Sequence, residues 1–151
     1  MFRGINTATL DAKGRVALPT RFRETLVIAA EGKIVVTIDV REQCLLLYPL
    51  PEWDVVQRKL EGLSNIAANA RRLQRLLIGH ATDIELDGQG RMLLPALLRD
   101  FAGLEKKLVL VGQGNKIEIW NAAAWQERMS VWLSEGSDLV ADGDQFTGLS
   151  V

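Results

Sequence analysis

Polar and apolar positions alternate in short runs, and turn residues separate the runs. Ile5 to Leu10 alternates loosely and favours Thr, which predicts a strand. Asp11 to Gly14 reads as a turn, with Asp11 capping it and Gly14 free to take positive φ. Arg15 to Leu18 returns as a second strand, and Pro19, with no N–H to donate, ends it. Thr20 then caps a short helix whose apolar face holds Phe22, Leu26 and Ala30, broken at Glu31-Gly32. Ile34 to Asp39 and Cys44 to Tyr48 predict a second strand pair. Pro51 suits the first turn of a helix carrying Trp53, Val56, Leu60 and Leu63. Ile66, Ala70, Leu73, Leu76 and Leu77 predict another helix, ending near Gly79. Strands are expected again at 81–86, 91–94, 107–112 and 116–120, with a short helix over 95–102. A last helix carries Trp125, Met129, Trp132 and Leu133, and the chain beyond Gly136 has little to bury and is expected to be disordered.

The same grammar runs twice. Asp11-Ala-Lys-Gly-Arg15-Val-Ala-Leu-Pro19-Thr-Arg-Phe-Arg23-Glu24 recurs as Asp87-Gly-Gln-Gly-Arg91-Met-Leu-Leu-Pro95-Ala-Leu-Leu-Arg99-Asp100, at a constant offset of 76. Tyr48 and Trp53 echo as Trp120 and Trp125 at an offset of 72. The organisation expected is a first repeat over 5–51, joining helices over 52–80, a second repeat over 81–124, and a C-terminal helix with an acidic tail over 125–151. Each β-rich copy spans about 45 residues, marginal for a core of its own. Two copies that interleave their first strand pairs could share one core. The expected fold class is therefore α+β, a compact pseudo-twofold barrel with flanking helices.

Composition narrows the chemistry. At 151 residues, 48% hydrophobic and 25% charged, the chain reads as a soluble globular protein. One Cys excludes an internal disulfide framework, and one His excludes a site of several His ligands on one chain. No apolar run approaches a membrane span, and the polar Asn6 and Thr7 after Met1-Phe2-Arg3-Gly4 argue against a signal peptide. A reduced, cytosolic protein is expected. The net charge of −1 by itself predicts no nucleic-acid binding, but it hides segments of net +4 over 1–23, +4 over 58–75 and −4 over 127–151. For 58–75 a solvated helix face suffices as an explanation. The first segment is different, because it contains the repeated turn.

Across that turn, Asp can bond the turn N–H groups or the Arg guanidinium, leaving Arg oriented with donors to spare. A purely structural pairing is the plain alternative, and an exposed pair of this kind adds at most about 1 kcal/mol. Duplication of the motif and the basic Lys13 in the first copy favour a functional reading. A projecting two-stranded ribbon with Lys and Arg near its tip fits the DNA major groove.

These residues resemble the MraZ family of bacterial transcriptional regulators, which carry two swapped-hairpin repeats of the AbrB/SpoVT type. The resemblance rests on Met1-Phe2-Arg3-Gly4, on Leu10 to Arg23, and on Cys44-Leu-Leu-Leu-Tyr-Pro-Leu-Pro-Glu-Trp53. It continues through Gln74-Arg-Leu-Leu-Ile-Gly-His-Ala81 and Asp87-Gly-Gln-Gly-Arg-Met-Leu-Leu-Pro95, and runs to about Trp125. It implies a ring-shaped homo-oligomer presenting basic hairpins to double-stranded DNA. It also implies binding to repeated promoter boxes ahead of the division and cell-wall gene cluster, often as a repressor, and hence a cytoplasmic, nucleoid-associated location. The family's DNA-binding Asp-x-x-x-Arg positions map onto Asp11 and Arg15 and onto Asp87 and Arg91, and the basic turn residue maps onto Lys13. Arg3 is a further candidate for phosphate or base support. The second turn departs from the first, with neutral Gln89 in place of Lys13, so the first hairpin is the expected principal contact.

Other residues point nowhere in particular. His80 reads as structural, Cys44 as a buried small residue, and Gly112-Gln-Gly-Asn115 as a hairpin turn without the Lys-Ser/Thr of a phosphate loop. The aromatic pairs suit core or subunit contacts better than base stacking. Arg71, Arg72 and Arg75 suit solvent or a subunit interface. No nucleophile–base pair or metal cluster can be assembled, so neither an enzyme nor a cofactor, metal or small-molecule substrate is expected. The alternative to a DNA-binding regulator is an oligomeric protein-interaction module.

Overall fold

In the computed structural model, which describes residues 1–136 and Leu149, the elements follow the order that the repeat predicts. The first copy supplies β1 (Phe2–Thr9), β2 (Arg15–Ala17), α1 (Thr20–Ala30), β3 (Lys33–Ile38) and β4 (Leu45–Pro49). The joining segment holds α2 (Leu50–Glu61) and α3 (Ala68–Leu73), which runs into a π-helical turn (Gln74–Ile78). The second copy supplies β5 (Thr82–Glu85), β6 (Arg91–Leu93), α4 (Ala96–Phe101), β7 (Lys107–Gly114) and β8 (Ile117–Asn121), followed by α5 (Ala122–Ser134). Apart from Leu149, the acidic tail lies outside the described residues.

The two copies exchange strands. A six-stranded antiparallel sheet has the order β1-β7-β8-β4-β3-β5, and a separate ribbon pairs β2 with β6. Swapping equivalent strands of the two copies (β1 for β5, β3 for β7, β4 for β8) leaves that order unchanged, as a pseudo-twofold relation requires. The expected barrel, however, does not close. Among the described residues, β1 and β5 are edges with one partner each, and the three-residue strands β2 and β6 are too short to carry the ladder around them. A single Leu10–Val16 bridge joins the ribbon to the end of β1.

Both faces of the sheet are covered, which explains the unbroken apolar runs of its central strands. Ile34, Val36, Ile38, Leu45, Leu47, Leu108, Leu110, Ile117 and Ile119 point inward against Val16, Met92, Phe22, Leu26 and Leu98 from the ribbon and from α1 and α4. On the outer face, Val35, Leu46 and Tyr48 pack under Trp53 and Leu60 of α2. Val109, Val111 and Trp120 pack under Trp125 and Trp132 of α5. The aromatic echo is a repeated contact: Tyr48 meets Trp53 at 5.6 Å between centroids, and Trp120 meets Trp125 at 5.5 Å.

Two local expectations change. Thr20 does not cap α1; Pro19 holds the cap position in extended backbone, and its carbonyl accepts from the Arg23 N–H at 3.0 Å. Pro95 takes the same role before α4. The helix expected over 66–79 starts at Ala68 and widens into the π turn, where the Gly79 N–H reaches the Gln74 carbonyl at 3.3 Å. The fully buried Thr37 hydroxyl donates to the Leu77 carbonyl in this widened turn at 2.7 Å.

Candidate nucleic-acid interface

Each repeated turn is organised by its aspartate. In the first, Asp11 Oδ1 accepts from the backbone N–H of Lys13 at 2.9 Å and of Arg15 at 2.8 Å, while Oδ2 accepts from Arg15 Nε at 2.9 Å. In the second, Asp87 accepts from the N–H of Gln89 and of Arg91, both at 2.9 Å, and from Arg91 Nε at 2.8 Å. Gly14 and Gly90 close the two turns at φ 84° and 73°, where a side chain would be strained. The Arg15 amide, then its guanidinium, hold the Asp11 carboxyl below the ordinary aspartate range; Arg91 does the same for Asp87. Of the three guanidinium nitrogens the carboxylate thus binds only Nε, and the two terminal amino groups of each arginine make no hydrogen bond among the described residues.

The ribbon then joins the two turns. Arg15 pairs with Leu93, Val16 with Met92, and Ala17 with Arg91. Val16 and Met92 are fully buried, so the alternate positions Arg15, Leu93, Ala17 and Arg91 share the outward face. Strand spacing puts the Cα atoms of Arg15 and Arg91 roughly 8 Å apart on it. The sequence predicts a projecting hairpin at each turn and an interleaving of the first strand pairs of the two copies. The hairpin is limited at the first turn to the Asp11–Arg15 backbone bond and the Leu10–Val16 bridge, whereas β2 and β6 do interleave, so the arginines lie on a cross-repeat face, with Lys13 at one end and Gln89 at the other.

Two further arginines brace the turns. Arg23 of α1 crosses to the second turn and donates from Nη1 to the Gln89 carbonyl at 3.0 Å. Arg99 of α4 donates from Nε to the Leu94 carbonyl at 2.9 Å, and its guanidinium lies against Gly14 of the first turn. They occupy equivalent repeat positions, so their pairing was visible in the sequence, but their cross-repeat partners were not. Arg3 stands apart. It lies near the start of β1, opposite Gln113, roughly 20 Å along that strand from its turn-proximal end. Arg21 donates to the Arg3 carbonyl at 3.2 Å, which groups the two cations on a separate ledge.

The remaining candidates are structural. His80 Nδ1 contacts the Leu76 carbonyl at 2.7 Å. Asp39, Cys44 and Glu118 bring potential ligand atoms within 4.8 Å of one another. Their bonding is internal: the Cys44 thiol donates to Asp39 at 3.7 Å, and Trp120 donates to Glu118 at 2.9 Å. Burial pushes both the Cys44 and the Glu118 pKa up, which keeps a proton on the thiol.

Fold and site together define a two-copy, strand-exchanged α+β protein with a pair of aspartate-held arginines on one exposed ribbon. The family described as "MraZ protein, putative antitoxin-like" matches residues 1–76 and 77–138. A protein of Thioalkalivibrio sulfidiphilus named "Transcriptional regulator MraZ" is 49% identical over 151 residues, covering all of both chains. One of the same name from Halorhodospira halophila is 52% identical over 137 residues, covering 91% of this chain and 90% of the relative. Another from Alkalilimnicola ehrlichii is 54% identical over 135 residues, covering 89% and 90%. The chain belongs to the MraZ family, whose members are named as transcriptional regulators and not as enzymes. Among the described residues, no helix is long and apolar enough to cross a membrane.

Proposed function

We propose that the chain is a transcriptional regulator that binds double-stranded DNA sequence-specifically through the outward face of the β2–β6 ribbon. The observation that carries this reading is the pairing of β2 with β6. It sets Arg15 and Arg91, each held through Nε by its own aspartate, diagonally across one outward, half-buried face, with terminal amino groups that make no hydrogen bond among the described residues. An arginine so held is ready for bidentate contact with guanine O6 and N7 in the major groove. Lys13 adds a charged phosphate contact at the first turn, where Gln89 offers only an uncharged amide at the second. Arg3 sits too far away to share their base pairs and is assigned to backbone phosphates. Asp11 and Asp87 act by orienting the arginines.

One ribbon neutralises few phosphates, so its own affinity is weak and strongly salt-dependent. A homo-oligomeric ring that sets several ribbons against tandem promoter boxes supplies the missing affinity through effective concentration. Exposed apolar residues away from the ribbon, Val27 and Ile28 on α1 among them, favour such self-association. In this reading the protein acts as a cytoplasmic, nucleoid-associated repressor on boxes ahead of the division and cell-wall gene cluster. The repeats over 5–51 and 81–124 are its DNA-reading units, joined through 52–80 and followed by 125–151. The test is a titration of the gene's own upstream duplex against a scrambled one at two salt concentrations, with Arg15→Ala alongside. Preference for the upstream duplex, lost in a variant of unchanged oligomeric mass, is expected. Equal binding to both duplexes, or undiminished binding by the variant, would overturn the assignment.

A further inference from the structure

We infer that Leu93 determines specificity by meeting the C5-methyl group of a thymine beside the base read by Arg15. This inference rests on the DNA-binding reading above and deepens it. Leu93 is 58% exposed, whereas its neighbours Met92 and Leu94 are fully buried. It belongs to none of the three apolar clusters, so the packing among the described residues makes no use of it. It stands directly opposite Arg15 in the ribbon ladder, on the same outward face as Arg91.

Side chains opposite each other in an antiparallel pair have Cβ atoms about 5 Å apart. Bases along one strand are about 3.4 Å apart. A guanidinium on guanine therefore sets the leucine over a base pair one or two steps away. In the major groove the apolar feature that distinguishes one base from the others is the thymine methyl. The equivalent position of the first copy, opposite Arg91, is Ala17, a single methyl that reaches less far. The ribbon thus reads its two halves unequally: the Arg15 half requires a nearby thymine, and the Arg91 half does so weakly.

The test uses the full chain and the gene's upstream duplex, prepared with thymine or with deoxyuridine throughout, and follows fluorescence anisotropy at fixed salt. The wild type is expected to bind the deoxyuridine duplex about fourfold more weakly, the effect of one buried methyl group. Leu93→Ala is expected to bind the thymine duplex more weakly by a similar factor and to keep only the weak response to the exchange that Ala17 supplies. A wild type that prefers the upstream duplex but ignores the exchange would overturn this inference alone. So would a Leu93→Ala variant that keeps the full thymine preference. A change of oligomeric mass in Leu93→Ala would also overturn it, by assigning the leucine to a contact between copies. A wild type with no preference for the upstream duplex over a scrambled one would remove the DNA-binding reading and this inference together.

Discussion

At the scale of the residue, Asp11 does more than offset a charge. Its two oxygens bind two turn amides and one guanidinium nitrogen, so the turn and the arginine share one anchor. Replacing Asp11 by Asn makes the protein more positive, and long-range electrostatics alone would then strengthen binding to any DNA. We expect the opposite for the specific duplex, a loss of about tenfold, because a bidentate base contact discriminates by roughly 1–3 kcal/mol and needs its donors held in place. Competition binding against scrambled DNA checks this, and a gain in specific affinity would show that Arg15 needs no anchor. The same bonds depress the carboxyl pKa below the ordinary 3.8. A pKa depressed on folding gives stability that is complete above the ordinary value and is lost as pH falls through the folded one. Carboxyl-carbon titration should therefore place Asp11 and Asp87 below 3.8, and values at or above it would mean that the turns are open in solution.

At the scale of the element, the joining helices belong to the fold. α2 covers the outer face of β3 and β4 as α5 covers that of β7 and β8, each through an aromatic pair. The π turn after α3 is tied to the sheet by the fully buried hydroxyl of Thr37. Thr37→Val keeps the shape, removes the donor and leaves the Leu77 carbonyl unpaired. It should cost about 1–2 kcal/mol, measured by denaturant unfolding, with little effect on DNA affinity. A neutral substitution would mean that the carbonyl finds another donor. The sequence predicted a helix here from its 3.6-residue period. It could not show the widened turn, because the bond across it comes from a residue some forty positions earlier.

At the scale of the whole molecule, neither copy holds a complete sheet. β1 relies on β7, β5 on β3, β2 on β6, and β4 on β8. A fragment ending at residue 80 loses the ladder partners of β1 and β2 and one of the two partners of β3 and of β4, and it loses Met92 and Leu98 from the cover over its inner face. It should be unfolded, or should associate with a second copy of itself that supplies the missing strands. Analytical ultracentrifugation with circular dichroism distinguishes these. A cooperatively folding monomer would contradict the exchange of strands.

The duplication, the strand–turn–strand–helix grammar and the Asp-x-x-x-Arg turns were legible in the sequence, because each rests on local rules: turn geometry, the missing N–H of Pro19 and Pro95, and the apolar period of each segment. Family membership followed from the same residues. The β3–β4 pair and its counterpart β7–β8 were legible too; the partners of β1, β2, β5 and β6 were not, since a short strand pairs equally well within its own copy or across copies. Which pairing wins depends on which closes a shared core. That choice decided that the sheet stays open, that Arg15 and Arg91 stand on one face while Arg3 stands apart, and that Leu93, one more leucine in an apolar run, points outward between two arginines.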